Sequence, residues 1–328
     1  MATGSDSPPA INASADMADP SIPPFPLLDD DDEGTRHEQQ EEEEDPVPHG
    51  GVLELPTVDL ESPGEALPAA CRRLGVFRLA NHGVPGDLTA KLFARARNLL
   101  GRTPFSDKQA QPGYFWATPA LAGLRVKDVS WVEGFHVPLA RPIIAGPPPS
   151  DELAALEDLA RECSTPCRRS LDADDTAAYL AEHDGFLRVY RYTPCPEEGH
   201  LGMEAHTDSS VLSVIGQEDL VGGLQVLHDG AWRDVAPGAP GTLLVNLGDM
   251  ARAISGDAWR SVRHRVAASR GAGARLSLCY FAFPRDVAVI ACDGSRYRPF
   301  THAEFREQVK ADIKATGSKI GLERFLRH

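Results

Sequence analysis

Apolar and polar positions along the chain follow two textures that change near Asp184. Before it, a short run Leu53-Glu54-Leu55-Pro56-Thr57-Val58-Asp59-Leu60 predicts a strand. A helix is expected from about Glu65 to Leu74, then a strand Val76–Asn81 ending at His82-Gly83. From Gly86 to Leu100, the residues Leu88, Leu92, Ala96 and Leu99 recur at helical spacing and predict a helix with one buried stripe. Residues 110–150 read as loop-rich, with Trp116, Trp131 and several prolines, and helices are expected over 151–162 and 166–182. After Asp184, short β-rich runs appear at 186–192, 211–216, 222–227, 232–235, 242–247, 261–267 and 275–283, separated by Gly, Pro and Asp. His228-Asp229-Gly230 sits between two of these and predicts a tight hairpin. A last helix is expected from Ala303 to Ala315, and no internal repeat is visible. Short strands at this spacing predict a sandwich or jelly-roll barrel. The chain is therefore read as mainly β with flanking helices: a tail over 1–50, a helical and mixed lead-in over 51–150, and a jelly-roll core with flanking helices over 151–328.

Charge changes this picture only at the N-terminus. The formal charge is −15, but residues 1–50 hold 14 acidic side chains against Arg36 alone, so the remaining 278 residues sum to −2. Residues 1–50 are rich in Pro and Ser and then in like charges, which predicts a disordered acidic tail. Basic residues form no stripe, which argues against nucleic acid. No apolar run is long enough to span a bilayer, and the start lacks a signal-peptide h-region. Cysteines 71, 163, 167, 195, 279 and 292 are scattered and read as reduced thiols. A cytoplasmic location follows as the expectation, with the nucleus as a further compartment.

The chemistry lies in three pieces. His206-Thr207-Asp208 is expected to project an imidazole and a carboxylate together, because residues i and i+2 of a strand share a face. His264 stands in a later strand-like run, Ser261–Val266. Two histidines and one carboxylate form the facial triad of Fe(II) oxygenases, which leaves positions open for a chelating co-substrate and O2. Eleven residues beyond His264, Arg275 and Ser277 share one strand face. Together they offer a guanidinium fork and a hydroxyl, as the distal carboxylate of 2-oxoglutarate requires. Each piece alone is common in proteins; their conjunction in this order, within a jelly-roll texture, is specific.

With these residues the chain resembles the plant 2-oxoglutarate- and Fe(II)-dependent dioxygenases over about residues 53–327. Leu55–Leu60 and Ala80-Asn81-His82-Gly83-Val84 are similar to that family's lead-in, residues 190–196 to its Asn-x-Tyr-Pro-Pro-Cys-Pro stretch, and Gly222-Gly223-Leu224-Gln225 and Asn246-Leu247-Gly248-Asp249 to two further landmarks. Tyr114–Pro119, Ser130–Pro138, Glu304–Val309 and Lys319-Ile320-Gly321-Leu322 resemble segments of gibberellin 2-oxidases acting on C20 gibberellins. The resemblance implies a double-stranded β-helix with the triad at one mouth, Fe(II) and 2-oxoglutarate with O2, support from ascorbate, and 2β-hydroxylation of a gibberellin.

The same resemblance implies that the Tyr192 hydroxyl approaches 2-oxoglutarate. Tyr190 stands where the family usually has Asn, and is expected to displace a hydrogen bond to the co-substrate. Trp131, Phe135 and Tyr114 are candidates to line the substrate pocket, against the plainer reading that they anchor a loop. His82, His136 and the Cys163–Cys167 pair are read as structural. Two rivals remain open: the same chemistry on an auxin or phenylpropanoid, and a catalytically silent hormone-binding relative.

Overall fold

The computed structural model describes residue 21 and residues 47–116, 130–139, 149–171, 185–195, 201–217, 222–268 and 273–327. The lead-in comprises β1 (His49–Leu53), β2 (Thr57–Asp59), α1 (Ala66–Arg73), β3 (Val76–Ala80), α2 (Gly86–Arg102), α3 (Phe105–Gln109), β4 (Tyr114–Trp116) and β5 (Glu133–Pro138). After α4 (Asp151–Leu171) come β6 (Phe186–Tyr192), β7 (Leu201–His206), β8 (Leu212–Gln217), β9 (Leu224–His228), β10 (Ala231–Val235) and β11 (Leu243–Leu247). The chain closes with α5 (Asp249–Ile254), β12 (His264–Ala267), β13 (Arg275–Ala282), β14 (Val289–Ile290), β15 (Phe300–Thr301), α6 (His302–Thr316) and a 3-10 turn, Gly321–Phe325.

Two sheets face one another. The larger has eight strands in the order β2-β3-β11-β8-β13-β6-β5-β4, and the smaller five in the order β1-β10-β9-β12-β7. Strand alternation gives the large sheet two different faces. On one, Leu187, Val189, Leu276, Leu278, Phe135 and Val137 pack under the apolar stripes of α2 and α4. On the other, Tyr190, Tyr192, Cys279 and Phe281 meet Leu224, Val226 and Val266 of the small sheet. Helices, large sheet and small sheet thus form three layers, with a jelly-roll interior between the sheets.

The α2 stripe appears as expected, with Leu88, Leu92, Ala96 and Leu99 all buried. Asp229 and Gly230 have φ of 49° and 71°, as a two-residue hairpin between β9 and β10 requires. Other expectations need correction. The region 110–150 is not merely loop: β4 and β5 extend the main sheet beyond β6. The sheet therefore runs continuously across position 150, and the lead-in shares it with the jelly roll. One helix, Asp151–Leu171, stands where two were expected, and 172–182 lies outside the described residues. Strand β7, which leads into His206, was not among the expected runs.

Most of the acidic tail also lies outside the described residues. Ser21 is described, and it is buried at 1% exposure. Its carbonyl accepts from Lys108 Nζ at 2.6 Å and from Arg191 Nη1 at 3.3 Å. Both cations are buried against Glu133, at 2.6 and 2.9 Å. The Leu100 carbonyl accepts from both cations as well, at 2.9 and 2.6 Å, so two carbonyls and one carboxylate satisfy the buried pair.

Candidate metal centre

His206 ends β7 and His264 begins β12, and the two strands pair in register at these residues. Their rings lie 4.4 Å apart between centroids. Asp208 lies past the end of β7, so it joins His206 through the turn of the chain and not through the pleat, as the sequence argument had it. His206 Nε2 and His264 Nε2 lie 3.6 and 3.8 Å from Asp208 Oδ1. One ligand atom from each residue falls within 4.8 Å of the others, the one such cluster of three among the described residues.

Each ligand is held in the orientation a metal needs. His206 Nδ1 donates to the Glu204 carbonyl at 2.7 Å and His264 Nδ1 to that of Val262 at 3.2 Å, leaving both Nε2 lone pairs free to coordinate. Asp208 Oδ2 accepts from Ser213 and from Asn246 Nδ2 at 2.7 Å, which leaves Oδ1 toward the histidines. Burial alone would raise the Asp208 pKa, but the adjoining His264 and His206, with Ser213, hold it well below the usual carboxylate range. Burial and the neighbouring His206 lower His264 to about 4, so it is neutral at physiological pH. Two imidazoles oriented through their Nδ1 atoms, beside an ionised carboxylate, are a donor set that fits Fe(II).

The large sheet supplies the rest of the interior. On β13, Arg275 and Ser277 pair with Tyr192 and Tyr190 of β6, and all four are buried. The Arg275 guanidinium lies 4.9 Å from the Tyr192 ring centroid, and its Nε and Nη1 have no hydrogen-bond partner. A guanidinium at 4% exposure with two orphaned donors is costly unless an anion completes it. The 2-oxoglutarate carboxylate has the shape and charge to do so. Burial pushes the Tyr192 hydroxyl up to about 12, so it stays a neutral donor beside Arg275 and Ser277.

Tyr190 points into the interior between Arg188 and Tyr192. Its hydroxyl accepts from Arg188 Nη1 at 3.3 Å, and its ring stacks on Tyr192 at 6.0 Å and meets Phe115 edge-on. Phe135 and Tyr114 do not line this interior. Phe135 is fully buried under the helices, and Tyr114 meets it edge-on while donating to Glu133 at 2.6 Å. The pleat of β5 turns Glu133, Phe135 and Val137 toward the helices and Gly134 and His136 toward the interior. Trp131 is buried edge-on against Trp116 at 4.9 Å and anchors the entry to β5.

Sequence reasoning missed Arg188. It shares the interior face of β6 with Tyr190 and Tyr192, stacks over Phe186 and Phe281 at 5.0 and 5.7 Å, and is near enough to sense the charge of Asp208. Its Nε has no partner, and among the described residues no carboxylate forms an ion pair with it. Alternation along 186–192 was the available signal. Ser213 and Asn246 were missed as well, although Asn246 stood in a recognised landmark.

With this geometry in place, the likenesses to known proteins agree with it. Residues 183–284 match the 2OG-Fe(II) oxygenase superfamily. Gibberellin 2-beta-dioxygenase 5 of Oryza sativa subsp. japonica is 35% identical over 303 residues, covering 83% of this chain and 87% of the relative. Gibberellin 2-beta-dioxygenase 8 of Arabidopsis thaliana is 33% identical over 314 residues, covering 84% and 88%. Among solved structures, a dioxygenase for auxin oxidation in rice is 27% identical with a TM-score of 0.62, covering 83% of this chain and 100% of that one. The His-Asp-His cluster, the jelly roll and these relatives together make this chain a member of the 2OG-Fe(II) oxygenase superfamily, an enzyme using Fe(II) and 2-oxoglutarate that is similar over most of its length to gibberellin 2-beta-dioxygenases.

Proposed function

We propose that the chain hydroxylates a gibberellin at the 2β position, with C20 forms preferred. The observation that carries this reading is identity of about one third to gibberellin 2-beta-dioxygenases over more than four fifths of both chains. The interior supports an acidic substrate. Arg188 and Arg275 stand on neighbouring strands, and the register places Arg188 four residues from Tyr192, the partner of Arg275. That is about 13 Å along the strand. One cation serves the co-substrate, and the other is left for a second acid among the rings of Phe186, Phe281 and Phe283.

In this reading His206, Asp208 and His264 hold Fe(II), and Arg275, Ser277 and Tyr192 hold the far end of 2-oxoglutarate. The bound iron with 2-oxoglutarate and O2 supplies oxidising power that turns a C–H bond into an alcohol, with succinate and CO2 as co-products; ascorbate keeps the metal reduced. The protein fixes the angle between co-substrate and substrate and keeps water from the reacting carbon. Tyr190 sets the position of Arg188, and the apolar rings hold the substrate's hydrocarbon skeleton.

Incubating the purified protein with Fe(II), 2-oxoglutarate and ascorbate against C20 gibberellins, C19 gibberellins and an indole auxin tests the assignment. A C20 gibberellin carrying one added 2β oxygen is the expected product by mass spectrometry and NMR. Ready oxidation of the auxin with no gibberellin product would overturn it.

A further inference from the structure

The segment after α6 packs on α5. Leu322 and Phe325 are buried with Met250, Phe300 and Phe305. Gly321 has φ +79°, and a Cβ there would lie 3.3 Å from Asp249 Oδ2 and 3.4 Å from Lys319 Cε, so the chain passes close over both side chains. This docking aims Lys319 inward, where its Nζ donates to the Thr207 carbonyl at 2.8 Å and to Thr207 Oγ1 at 3.2 Å. Thr207 is the residue between His206 and Asp208. Lys319 Nζ also pairs with Asp249 Oδ2 at 2.7 Å, with the two side chains only 14% and 5% exposed.

Asp249 carries the connection further. Its Oδ2 accepts from Thr207 Oγ1 at 3.2 Å, and its Oδ1 accepts from Ser261 Oγ at 2.9 Å, three residues before His264. Its backbone N–H donates to the carbonyl of Asp208 at 2.8 Å. One buried ion pair therefore touches the loop bearing His206 and Asp208 and the approach to His264. Asp249 neutralises Lys319, so the lysine near a bound cation acts by geometry more than by repulsion.

We propose that Lys319 is a positioning residue for the metal, a C-terminal clamp that fixes the spacing of His206, Asp208 and His264 through Thr207 and Asp249. This rests on the triad as the metal site and is independent of which organic substrate is used. Removing a group that orients metal ligands weakens affinity by about 10- to 100-fold. Lys319→Met should weaken metal binding by that order, while Lys319→Arg, which can still donate to the Thr207 carbonyl and pair with Asp249, should bind more tightly than Lys319→Met.

Mn(II), which is inert to O2 here, serves as the probe: the metal-free full chain is titrated and free Mn(II) is counted by electron paramagnetic resonance. Melting temperature of the metal-free protein is recorded alongside, and Lys310→Met, an exposed α6 lysine, is the control. Weaker Mn(II) binding in Lys319→Met with a cooperative melt, recovery in Lys319→Arg and no change in Lys310→Met support the clamp. Wild-type affinity in Lys319→Met overturns it, as does equal weakening in Lys310→Met. If Lys319→Met does not fold, Ser261→Ala removes only one hydroxyl of the same network, and unchanged Mn(II) affinity there overturns the clamp.

Discussion

At the scale of single residues, the interior works through charges that the protein buries but does not neutralise by itself. Arg275 keeps two donors without partners, and Arg188 keeps one. The two should separate in kinetics. Losing a hydrogen bond to a charged group costs about 1.5–3 kcal/mol, or roughly 10- to 150-fold in affinity. Arg275→Lys keeps the charge but loses the planar fork, so the KM for 2-oxoglutarate should rise by that order while the organic substrate's KM changes little. Arg188→Gln should do the reverse. Steady-state titration of each component against both variants checks this, and a shift of both constants in both variants would contradict it. The His-Asp-His cluster was legible in the sequence because those residues are rare in that combination. Arg188 was overlooked although the alternation of 186–192 puts it on the face of Tyr190 and Tyr192, because alternation gives the face and not the charged group that would need it. Tyr190 was found without its hydroxyl partner, Arg188.

Among elements, β5 shows where pattern reading failed. Ser130–Pro138 was recognised as a landmark yet placed in a loop, so the facing of its side chains could not be worked out. As a strand it turns Glu133, fully buried, toward Lys108 and Arg191. Tyr114 also donates to this carboxylate, which links α3, β4, β5 and β6 through one side chain. Removing one partner of a buried charged pair typically costs about 3–5 kcal/mol. Glu133→Ala should therefore lose about that much stability in denaturant unfolding, although it touches neither metal nor co-substrate. A loss below about 1 kcal/mol, the size seen for exposed pairs, would show that the cluster does not hold β5 in place. The hairpin at Asp229-Gly230 was legible for the opposite reason: positive φ at two successive positions is a local requirement that the residues themselves announce.

At the scale of the whole molecule, composition located the charge correctly but said nothing of what docks. The strand order of the large sheet, with β2 and β3 joining one edge and β5 and β4 the other, depends on long-range pairing that no local pattern encodes. Ser21 belongs to the same class of fact. Deleting 1–48 removes the Ser21 carbonyl from Lys108 and Arg191 and the Pro48 carbonyl from Trp232 N–H. The expected cost is about 1.5–3 kcal/mol, visible as a lower melting temperature; identical melting of this truncation and the full chain would contradict it. The central claim, that three side chains hold the iron of a 2-oxoglutarate-dependent hydroxylase, is tested most directly by one comparison. Succinate release and hydroxylated product are quantified for wild type and for folded Asp208→Ala under saturating Fe(II) and 2-oxoglutarate. The account predicts matched succinate and alcohol from wild type and neither from Asp208→Ala, and wild-type rates in Asp208→Ala would contradict it.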